Sequence, residues 1–328
     1  MLVDNYGRKL DYLRLAVTDR CNLRCTYCMP VGGLDWIRKS ELMTDEEMLR
    51  ICSLFVEMGI RRIRITGGEP FVRKDLIKFL EKISSLAALH ELTLTTNGVV
   101  TAPFVPELKR IGVRSVNLSL DTLDKERFIR IAHRDELDNV LRTLDALLKY
   151  NVEIKINAVV MENLNIEDIV PLVRLSKSLP VSIRFIEEMP FNGGSYQAGL
   201  HWNYKRILAH IREHFPDIQK IPDAPNSTSY NYHIPGHLGN VGIIAAWSRL
   251  FCGTCNRIRI TPSGIIRTCL YDNGKVNIKD ILREGASDEG LKEWIRHIVS
   301  TKAKDGWEAE KNRDNHEPVH ESMATIGG

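Results

Sequence analysis

The chain has 328 residues, 43% of them hydrophobic, with 45 Lys and Arg against 42 Asp and Glu and a net charge of +3. This composition is ordinary for a soluble protein with one large α/β domain and an appendage, and the charge alone gives no reason to expect nucleic-acid binding. The sequence lacks the run of about 18 apolar residues that a membrane span needs, and its first residues lack a signal-peptide core. We therefore expect a cytoplasmic protein whose cysteines stay reduced.

Short strand-like runs alternate with helical stretches from Tyr12 to about His214. Because this alternation is typical of a parallel sheet with crossover helices, we predict six strand–helix units. The strands are predicted at residues 12–18, 61–66, 92–97, 115–121, 152–160 and 181–188. A helix is predicted from residue 45 toward Gly59, since Thr44 and Glu47 can form a capping box and Gly59 can end the helix.

One face of each predicted strand is apolar and the other is polar or cationic. Arg14 alternates with Leu13 and Leu15, for example, and Arg64 with Ile63 and Ile65. Branched apolar side chains fill the interior of a closed eight-stranded barrel, whereas here the polar faces must point inward and the apolar faces outward to helices. The pattern predicts an incomplete (βα)6 TIM-like barrel around a polar chamber, open on one side.

From about Phe215 the alternation stops, and Pro and Gly residues punctuate an irregular stretch. A strand–turn–strand unit is predicted at residues 257–270, and a helix at 289–301. We therefore divide the chain into a partial barrel, residues 1–214, and a smaller C-terminal α+β cap, residues 215–328, which can cover the open side.

Cys21, Cys25 and Cys28 follow the first predicted strand directly. Iron–sulfur clusters of the 4Fe-4S type normally take four Cys ligands, so three imply an iron with an open coordination position. The alternative is a zinc knuckle. Zinc sites favour Cys pairs completed by a second pair or by His, and no His precedes His90.

A second triplet, Cys252, Cys255 and Cys269, repeats the arrangement. Alone it could be half of a zinc ribbon, but beside the first triplet a second cluster with an open iron is the better interpretation. The seventh cysteine, Cys52, lies inside the first predicted helix, where a buried, inert thiol is expected.

The first triplet, with Tyr27 just before its last cysteine, resembles the signature of the radical S-adenosylmethionine (SAM) superfamily. The segment Gly67-Gly68-Glu69-Pro70 closes the second predicted strand, and its glycines allow the backbone to approach a ligand closely. In that superfamily the corresponding segment meets the amino group of SAM. The resemblance implies a 4Fe-4S cluster whose open iron chelates SAM, followed by reductive cleavage to methionine and a 5'-deoxyadenosyl radical.

Seven cations lie on predicted inward faces: Arg14, Arg62, Arg64, Lys155, Arg184, Arg257 and Arg259. Any one of them could be solvated surface. Together they would repel one another unless a strongly anionic ligand neutralises them, and Arg is suited to phosphate oxygens. The set therefore predicts a nucleoside triphosphate substrate.

These motifs, with Gly327-Gly328 at the end of the chain, are similar to the GTP 3',8-cyclase family of molybdenum cofactor biosynthesis over nearly the whole sequence. The resemblance implies that the cap carries the second 4Fe-4S cluster, whose free iron meets guanine. It also implies that the radical removes hydrogen from C3' of GTP and that C3' then attacks C8. The diglycine end is expected to reach the active site.

The resemblance assigns roles by motif position. The implied SAM contacts are Tyr27, Gly68, Ser119 and Met189, although Met189 could instead be core filler. The implied GTP contacts are Arg14, Arg62, Arg64, Thr95, Lys155, Arg257, Ile258 and Arg259. The candidate catalytic residues are Arg184, Arg257 and Arg259. The implied partners are an electron donor and the downstream cyclic pyranopterin monophosphate synthase, with no membrane or nucleic acid, in a monomer or homodimer.

Two other functions fit parts of the sequence. Another radical SAM enzyme with an auxiliary cluster, such as a peptide-modifying maturase, would share the first triplet, but such enzymes usually carry more C-terminal cysteines and need no arginine cluster. A non-catalytic zinc or iron–sulfur module would share only the metal ligands.

Overall fold

The computed structural model describes residues 1–30, 33–191, 201–313 and 321–327. Its strands in chain order are β1 (Leu2–Val3), β2 (Lys9–Leu10), β3 (Tyr12–Ala16), β4 (Arg62–Thr66), β5 (Glu91–Thr96), β6 (Ser115–Ser119), β7 (Glu153–Val160), β8 (Val181–Glu187), β9 (Gln219–Lys220), β10 (Ser229–His233), β11 (Asn240–Ile244), β12 (Arg257–Ile260), β13 (Ile265–Arg267) and β14 (Val276–Asn277).

The α-helices alternate with these strands and then continue to the C-terminus. They are α1 (Asp45–Glu57), α2 (Leu76–Ser84), α3 (Val105–Arg110), α4 (Lys125–Ala132), α5 (Leu137–Lys149), α6 (Ile169–Ser178), α7 (Tyr204–His214), α8 (Ile278–Arg283), α9 (Asp288–Ser300), α10 (Gly306–Lys311) and α11 (Met323–Ile326). Within the described ranges, no helix is long and apolar enough to cross a bilayer.

One largely parallel sheet holds twelve of the strands, in the order β14-β13-β12-β3-β4-β5-β6-β7-β8-β11-β10-β9. The six predicted strands are β3 to β8, and they pair with one another in sequence order, all parallel. The capping box before α1 is also confirmed, since Glu47 N donates to Thr44 Oγ1 and Thr44 N donates to Glu47 Oε2.

The apolar faces of the strands pack outward against the helices, as predicted. Leu13, Ile63 and Ile65 are fully buried in one hydrophobic cluster with Phe55 of α1. Cys52 of α1 is part of the same cluster, where burial raises the pKa of its thiol to about 12, so the expectation of an inert thiol is confirmed. The opposite faces of the strands are therefore left to form a polar interior.

The segment after α7 is more regular than predicted. Strands β9, β10 and β11 occupy what the sequence indicates as an irregular stretch, and β11 pairs parallel with β8, with Asn240 opposite Ser182. Strand β12 pairs parallel with β3 at the other edge, with Arg257 opposite Tyr12. The prediction was wrong here because the alignment of β11 depends on a distant strand rather than on its own pattern.

The sheet curls so that its two ends approach each other across the polar face. Arg257 Nη2 of β12 donates to the carbonyl oxygen of Asn226, just before β10, at 3.0 Å. Residues of β11 and β12, at opposite edges of the parallel strands, line the same cavity. C-terminal strands thus extend the sheet at both edges and enclose the interior.

Candidate active site

The first cysteine triplet lies at the carboxyl end of β3 and lines a cavity with about 1210 Å³ of empty space. Burial raises the pKa of Cys21 to about 11 and that of Cys28 to about 12, so these thiols keep their protons unless a metal binds. A coordinated metal deprotonates a thiol outright. Without a metal, the loop is therefore poorly suited to free-thiolate chemistry.

Zinc and an iron–sulfur cluster place different demands on the spacing of the cysteine sulfurs. Tetrahedral zinc, with Zn–S bonds of about 2.3 Å, needs sulfurs roughly 3.8 Å apart. Among the described residues, neither cysteine triplet forms a group whose ligand atoms all lie within 4.8 Å of one another. In a cubane cluster each thiolate binds a different iron, which keeps the sulfurs further apart.

The Gly-Gly-Glu-Pro segment at the end of β4 packs directly on the loop before the first triplet. Gly68 N donates to Thr18 O at 2.8 Å, and a Cβ on Gly68 would lie 2.4 Å from Arg20 O. Only glycine fits this close approach of two backbones. Gly68 consequently presents its bare backbone to the cavity that the three cysteines line.

Glu69 holds this turn in place rather than facing the cavity. Its carboxylate is fully buried and accepts hydrogen bonds from Asn97 N at 2.7 Å, Phe71 N at 3.1 Å and Thr96 Oγ1 at 2.8 Å. Burial raises the pKa of Glu69 to about 7. The residue thereby ties the ends of β4 and β5 together beneath the site.

The four predicted SAM contacts, Tyr27, Gly68, Ser119 and Met189, line the same cavity as the first triplet. Sequence reasoning missed Asp121, which accepts from Tyr27 Oη at 2.9 Å and from Val159 N at 2.8 Å. Burial raises the pKa of Asp121 to about 6. Its position at the end of the inward face of β6 is the signal that could have identified it.

A second cavity, with about 1040 Å³ of empty space, lies beside the first and is lined by the second triplet. Five arginines line it: Arg14, Arg64, Arg184, Arg257 and Arg259. Strand register explains this convergence, because Arg259, Arg14 and Arg64 are direct neighbours across β12, β3 and β4. No Asp or Glu is among the described lining residues.

The electrostatics of the arginine cluster are unfavourable without a ligand. Burial, followed by repulsion from Arg64, lowers the pKa of Arg184 to about 10. Burial, followed by repulsion from Arg14 and Arg257, lowers the pKa of Arg259 well below its usual range. A polyanion in this cavity would reverse both effects, since it supplies the opposite charge that the lining lacks.

The structure does not bring all of the predicted substrate contacts to the cavities. Arg62 pairs with Asp11 at 3.1 Å, and Lys155 pairs with Glu153 at 2.6 Å, and neither cation lines either cavity. The side chain of Ile258 is fully buried in the hydrophobic core. Thr95, by contrast, lines both cavities.

The two cavities are contiguous. Their shared lining residues are Thr95, Asn157, Ile186, Met189 and Met323. Asn157 and its neighbour Asn117, both missed by sequence reasoning, have buried Oδ1 atoms without a hydrogen-bond partner among the described residues. Buried polar atoms are normally hydrogen-bonded, so both oxygens are available to accept a hydrogen bond from a bound molecule. A molecule in one cavity would thus lie next to a molecule in the other.

The C-terminal segment reaches this site. Ser322 Oγ donates to Cys28 O at 2.5 Å, and Arg259 Nη1 donates to Gly327 O at 2.7 Å. A Cβ on Gly327 would lie 2.7 Å from the Cβ of Ala16, and its φ is +78°. Gly327 therefore lies against Ala16 and Arg259, while Gly328 lies outside the described residues.

Comparisons with known proteins agree with this geometry. A family model described as "Radical SAM superfamily" matches residues 15–176, and one described as "Molybdenum Cofactor Synthesis C" matches residues 181–307. Streptococcus suis SuiB bound to S-adenosylmethionine has a TM-score of 0.64 at 17% identity, covering 88% of this chain and 68% of that one, which shows a shared fold.

Two curated relatives are much closer in sequence. Molybdenum cofactor biosynthesis protein 1 of Drosophila melanogaster is 40% identical over 96% of this chain and 56% of its own length. GTP 3',8-cyclase of Clostridium perfringens is 39% identical over 91% of this chain and 92% of its own length. The chain spans about half the length of several other relatives. The parallel sheet and the three-cysteine loop define a radical SAM protein. Within that superfamily, the chain belongs to the GTP 3',8-cyclase family.

Proposed function

We propose that this protein cyclises GTP to (8S)-3',8-cyclo-7,8-dihydroguanosine 5'-triphosphate by abstracting hydrogen from C3', the first step of molybdenum cofactor biosynthesis. The observation that carries the proposal is the second cavity, in which five arginines and three cysteines face one space without a carboxylate among the described lining residues. Guanidinium groups match phosphate oxygens. The shared lining residues support transfer of reactivity from the first cavity to a substrate in the second.

In the first cavity, Cys21, Cys25 and Cys28 would bind a 4Fe-4S cluster, and Tyr27, Gly68, Ser119 and Met189 would bind SAM. When bound, the cluster supplies the electron that cleaves SAM to methionine and a 5'-deoxyadenosyl radical. The residues of the chain position the reactants. Gly68 offers backbone without a Cβ in the way, and Asp121 fixes the orientation of Tyr27 through the 2.9 Å hydrogen bond.

In the second cavity, Arg14 and Arg64 would bind the triphosphate through charge-assisted hydrogen bonds. We assign catalytic roles to Arg184, Arg257 and Arg259. For Arg257 and Arg259, support comes from Cys255: burial raises the pKa of its thiol, but the charges of Lys302, Arg257 and Arg259, with the backbone N–H of Arg257, outweigh burial and lower that pKa to about 7. The arginines therefore act on a proposed cluster ligand as well as facing the substrate space.

Four other predicted GTP contacts stay part of the proposal, and the geometry limits how three of them could reach GTP. Thr95 already lines both cavities. Arg62 and Lys155 would have to leave their carboxylate partners to reach a nucleotide. Ile258 could contribute only through its backbone, because its side chain belongs to the core.

The proposal also includes the architecture and partners. We infer an incomplete (βα)6 barrel, residues 1–214, and a C-terminal cap, residues 215–328, in which Cys252, Cys255 and Cys269 would hold a second 4Fe-4S cluster able to bind GTP. An electron donor supplies the reducing equivalents, and cyclic pyranopterin monophosphate synthase takes the product. A cytoplasmic monomer or homodimer remains our expectation.

The test is an anaerobic incubation of reconstituted protein with SAM, dithionite and each nucleoside triphosphate in turn, followed by mass spectrometry of the nucleotide and quantitation of 5'-deoxyadenosine. We expect about eight irons per chain, the content of two 4Fe-4S clusters. We also expect a cyclised product from GTP alone. Zinc in place of iron, or a product from every nucleotide, would contradict the proposal.

Three cysteine variants test which triplet serves SAM cleavage and which serves cyclisation of the nucleotide. Cys25→Ser should lose 5'-deoxyadenosine formation, whereas Cys255→Ser should keep some uncoupled SAM cleavage and lose the cyclised nucleotide. Cys52→Ala is the matched control, because its thiol is buried in the core away from both cavities. Equal loss of both activities in a folded Cys255→Ser variant would show that the roles are divided wrongly.

A further inference from the structure

A buried lysine lies behind the second cysteine triplet. Lys302, just after α9, is 3% exposed, and it lines neither cavity. Its Nζ donates to Arg257 O at 3.1 Å and to Thr268 O, and it lies 3.9 Å from Cys255 Sγ. The lysine thus connects the two segments that carry Cys255 and Cys269.

The neighbours of the Lys302 Nζ atom are all groups that can accept a hydrogen bond. An ammonium group has three N–H donors and no acceptor, and the three neighbours of Nζ are two carbonyl oxygens and one sulfur, all acceptors. Among the described residues, no Asp or Glu lies within ion-pair distance of this nitrogen, although most other buried cations here have such a partner. A buried, unpaired charge is costly, so the site calls for an anion at the position of the cysteine sulfur.

We propose that Lys302 is a positioning residue for the second iron–sulfur cluster, where its ammonium group hydrogen-bonds the Cys255 sulfur and raises the reduction potential of the cluster. This inference rests on the proposed assignment of a cluster to Cys252, Cys255 and Cys269. The reduced cluster carries one more negative charge than the oxidised cluster, so a fixed positive charge at a ligand sulfur favours reduction. No bond forms or breaks in this step, which adds one electron from an external reductant.

The position of Lys302 distinguishes its role from that of the arginines. Arg257 and Arg259 face the substrate cavity, where bound phosphates would neutralise them. Lys302 reaches Cys255 without lining that cavity, so its charge acts on the cluster whether or not a nucleotide is present.

The test is a redox titration of the reconstituted full-length protein, followed by electron paramagnetic resonance. A Cys252→Ala/Cys255→Ala/Cys269→Ala variant identifies the second-cluster signal by its loss. In Lys302→Met, the ratio of reduced to oxidised second cluster at a given applied potential should fall at least tenfold. This change corresponds to a reduction potential lower by about 59 mV for a one-electron couple. The first-cluster signal should stay unchanged. Lys302→Arg keeps the charge and should stay within threefold of the wild type.

A matched control removes a different lysine of the same region. Lys292→Met removes a lysine of α9 that pairs with Glu57 and Glu289, and it should change neither potential. An unchanged second-cluster potential in an iron-replete Lys302→Met protein would overturn the role of Lys302 but not the proposed function. Loss of the cluster from both Lys302 variants would do the same. Loss from Lys302→Met with retention in Lys302→Arg would support it. If the triple cysteine variant binds as much iron as the wild type, the proposed second cluster is wrong and the inference falls with it.

Discussion

Arg259→Ala tests the step from radical chemistry to a triphosphate substrate. Arg259 lies on β12 directly opposite Arg14, and its guanidinium group donates to Gly327 O at 2.7 Å beside the second triplet. The substitution removes one buried cationic donor to the nucleotide. A hydrogen bond to a charged group contributes about 1.5 to 3 kcal/mol, so GTP affinity or kcat/KM should fall roughly 10- to 150-fold.

The free protein should tolerate this substitution. Arg14 and Arg257 repel Arg259 in the absence of a ligand, so removing one of the clustered charges relieves repulsion. Iron content and thermal stability should therefore survive, although the C-terminal segment loses its hydrogen bond at Gly327.

Equilibrium binding of GTP to anaerobically reconstituted protein, with product formation measured in parallel, is the assay for Arg259→Ala. Arg50→Ala is the control, because Arg50 forms an exposed ion pair with Asp288, and such pairs contribute about 0–1 kcal/mol. Unchanged GTP binding and turnover in Arg259→Ala would refute the inward, phosphate-binding role. A loss of iron from this variant would instead show that Arg259 supports the cluster loop.

Three further predictions concern the surroundings of the first triplet. Gly68→Ala should abolish SAM cleavage, because its Cβ would lie 2.4 Å from Arg20 O. Gly290→Ala on α9, whose Cβ would make only an ordinary 3.5 Å contact with Ser287 Oγ, should retain both iron and activity, and a fully active Gly68→Ala protein would contradict the close approach. Burial raises the pKa of Asp121 from 3.8 to about 6, so ionisation of this carboxyl destabilises the folded wild type between those two pH values. Asp121→Asn has no carboxyl to ionise. Its free energy of unfolding should therefore rise relative to that of the wild type, by about 3 kcal/mol in total, as the pH increases from 3.8 to about 6. Urea unfolding of the iron-free proteins across this pH range measures the difference, and a constant difference would show that Asp121 does not titrate there. Ser322→Ala should speed hydrogen exchange in residues 321–327, because Ser322 caps α11 and donates to Cys28 O. Loss of such a cap destabilises a helix by about 1 kcal/mol. Unchanged exchange would mean that other contacts hold this segment.

Local patterns in the sequence were enough to identify the six central strands, the start of α1 and the two cysteine loops. Alternation of apolar and polar residues decides which face of a strand meets the helices, and it needs no knowledge of distant residues. The inward face of β4 shows the limit of this reasoning. Both Arg62 and Arg64 point inward by alternation, yet only Arg64 lines the cavity, because Asp11 lies close enough to pair with Arg62 near the start of the strand.

Only the tertiary structure decided where the C-terminal strands lie. Strands β11 and β12 join opposite edges of the sheet by pairing with β8 and β3. Local patterns in the sequence do not reveal these pairings, because each pairing joins segments that are remote in the chain. The same pairing places Arg259 beside Arg14 and so creates the arginine row. Lys302 gave no signal in the sequence, where it is one lysine among many charged residues near α9. Its function depends on burial against a sulfur and two carbonyl oxygens, which only the folded chain brings together.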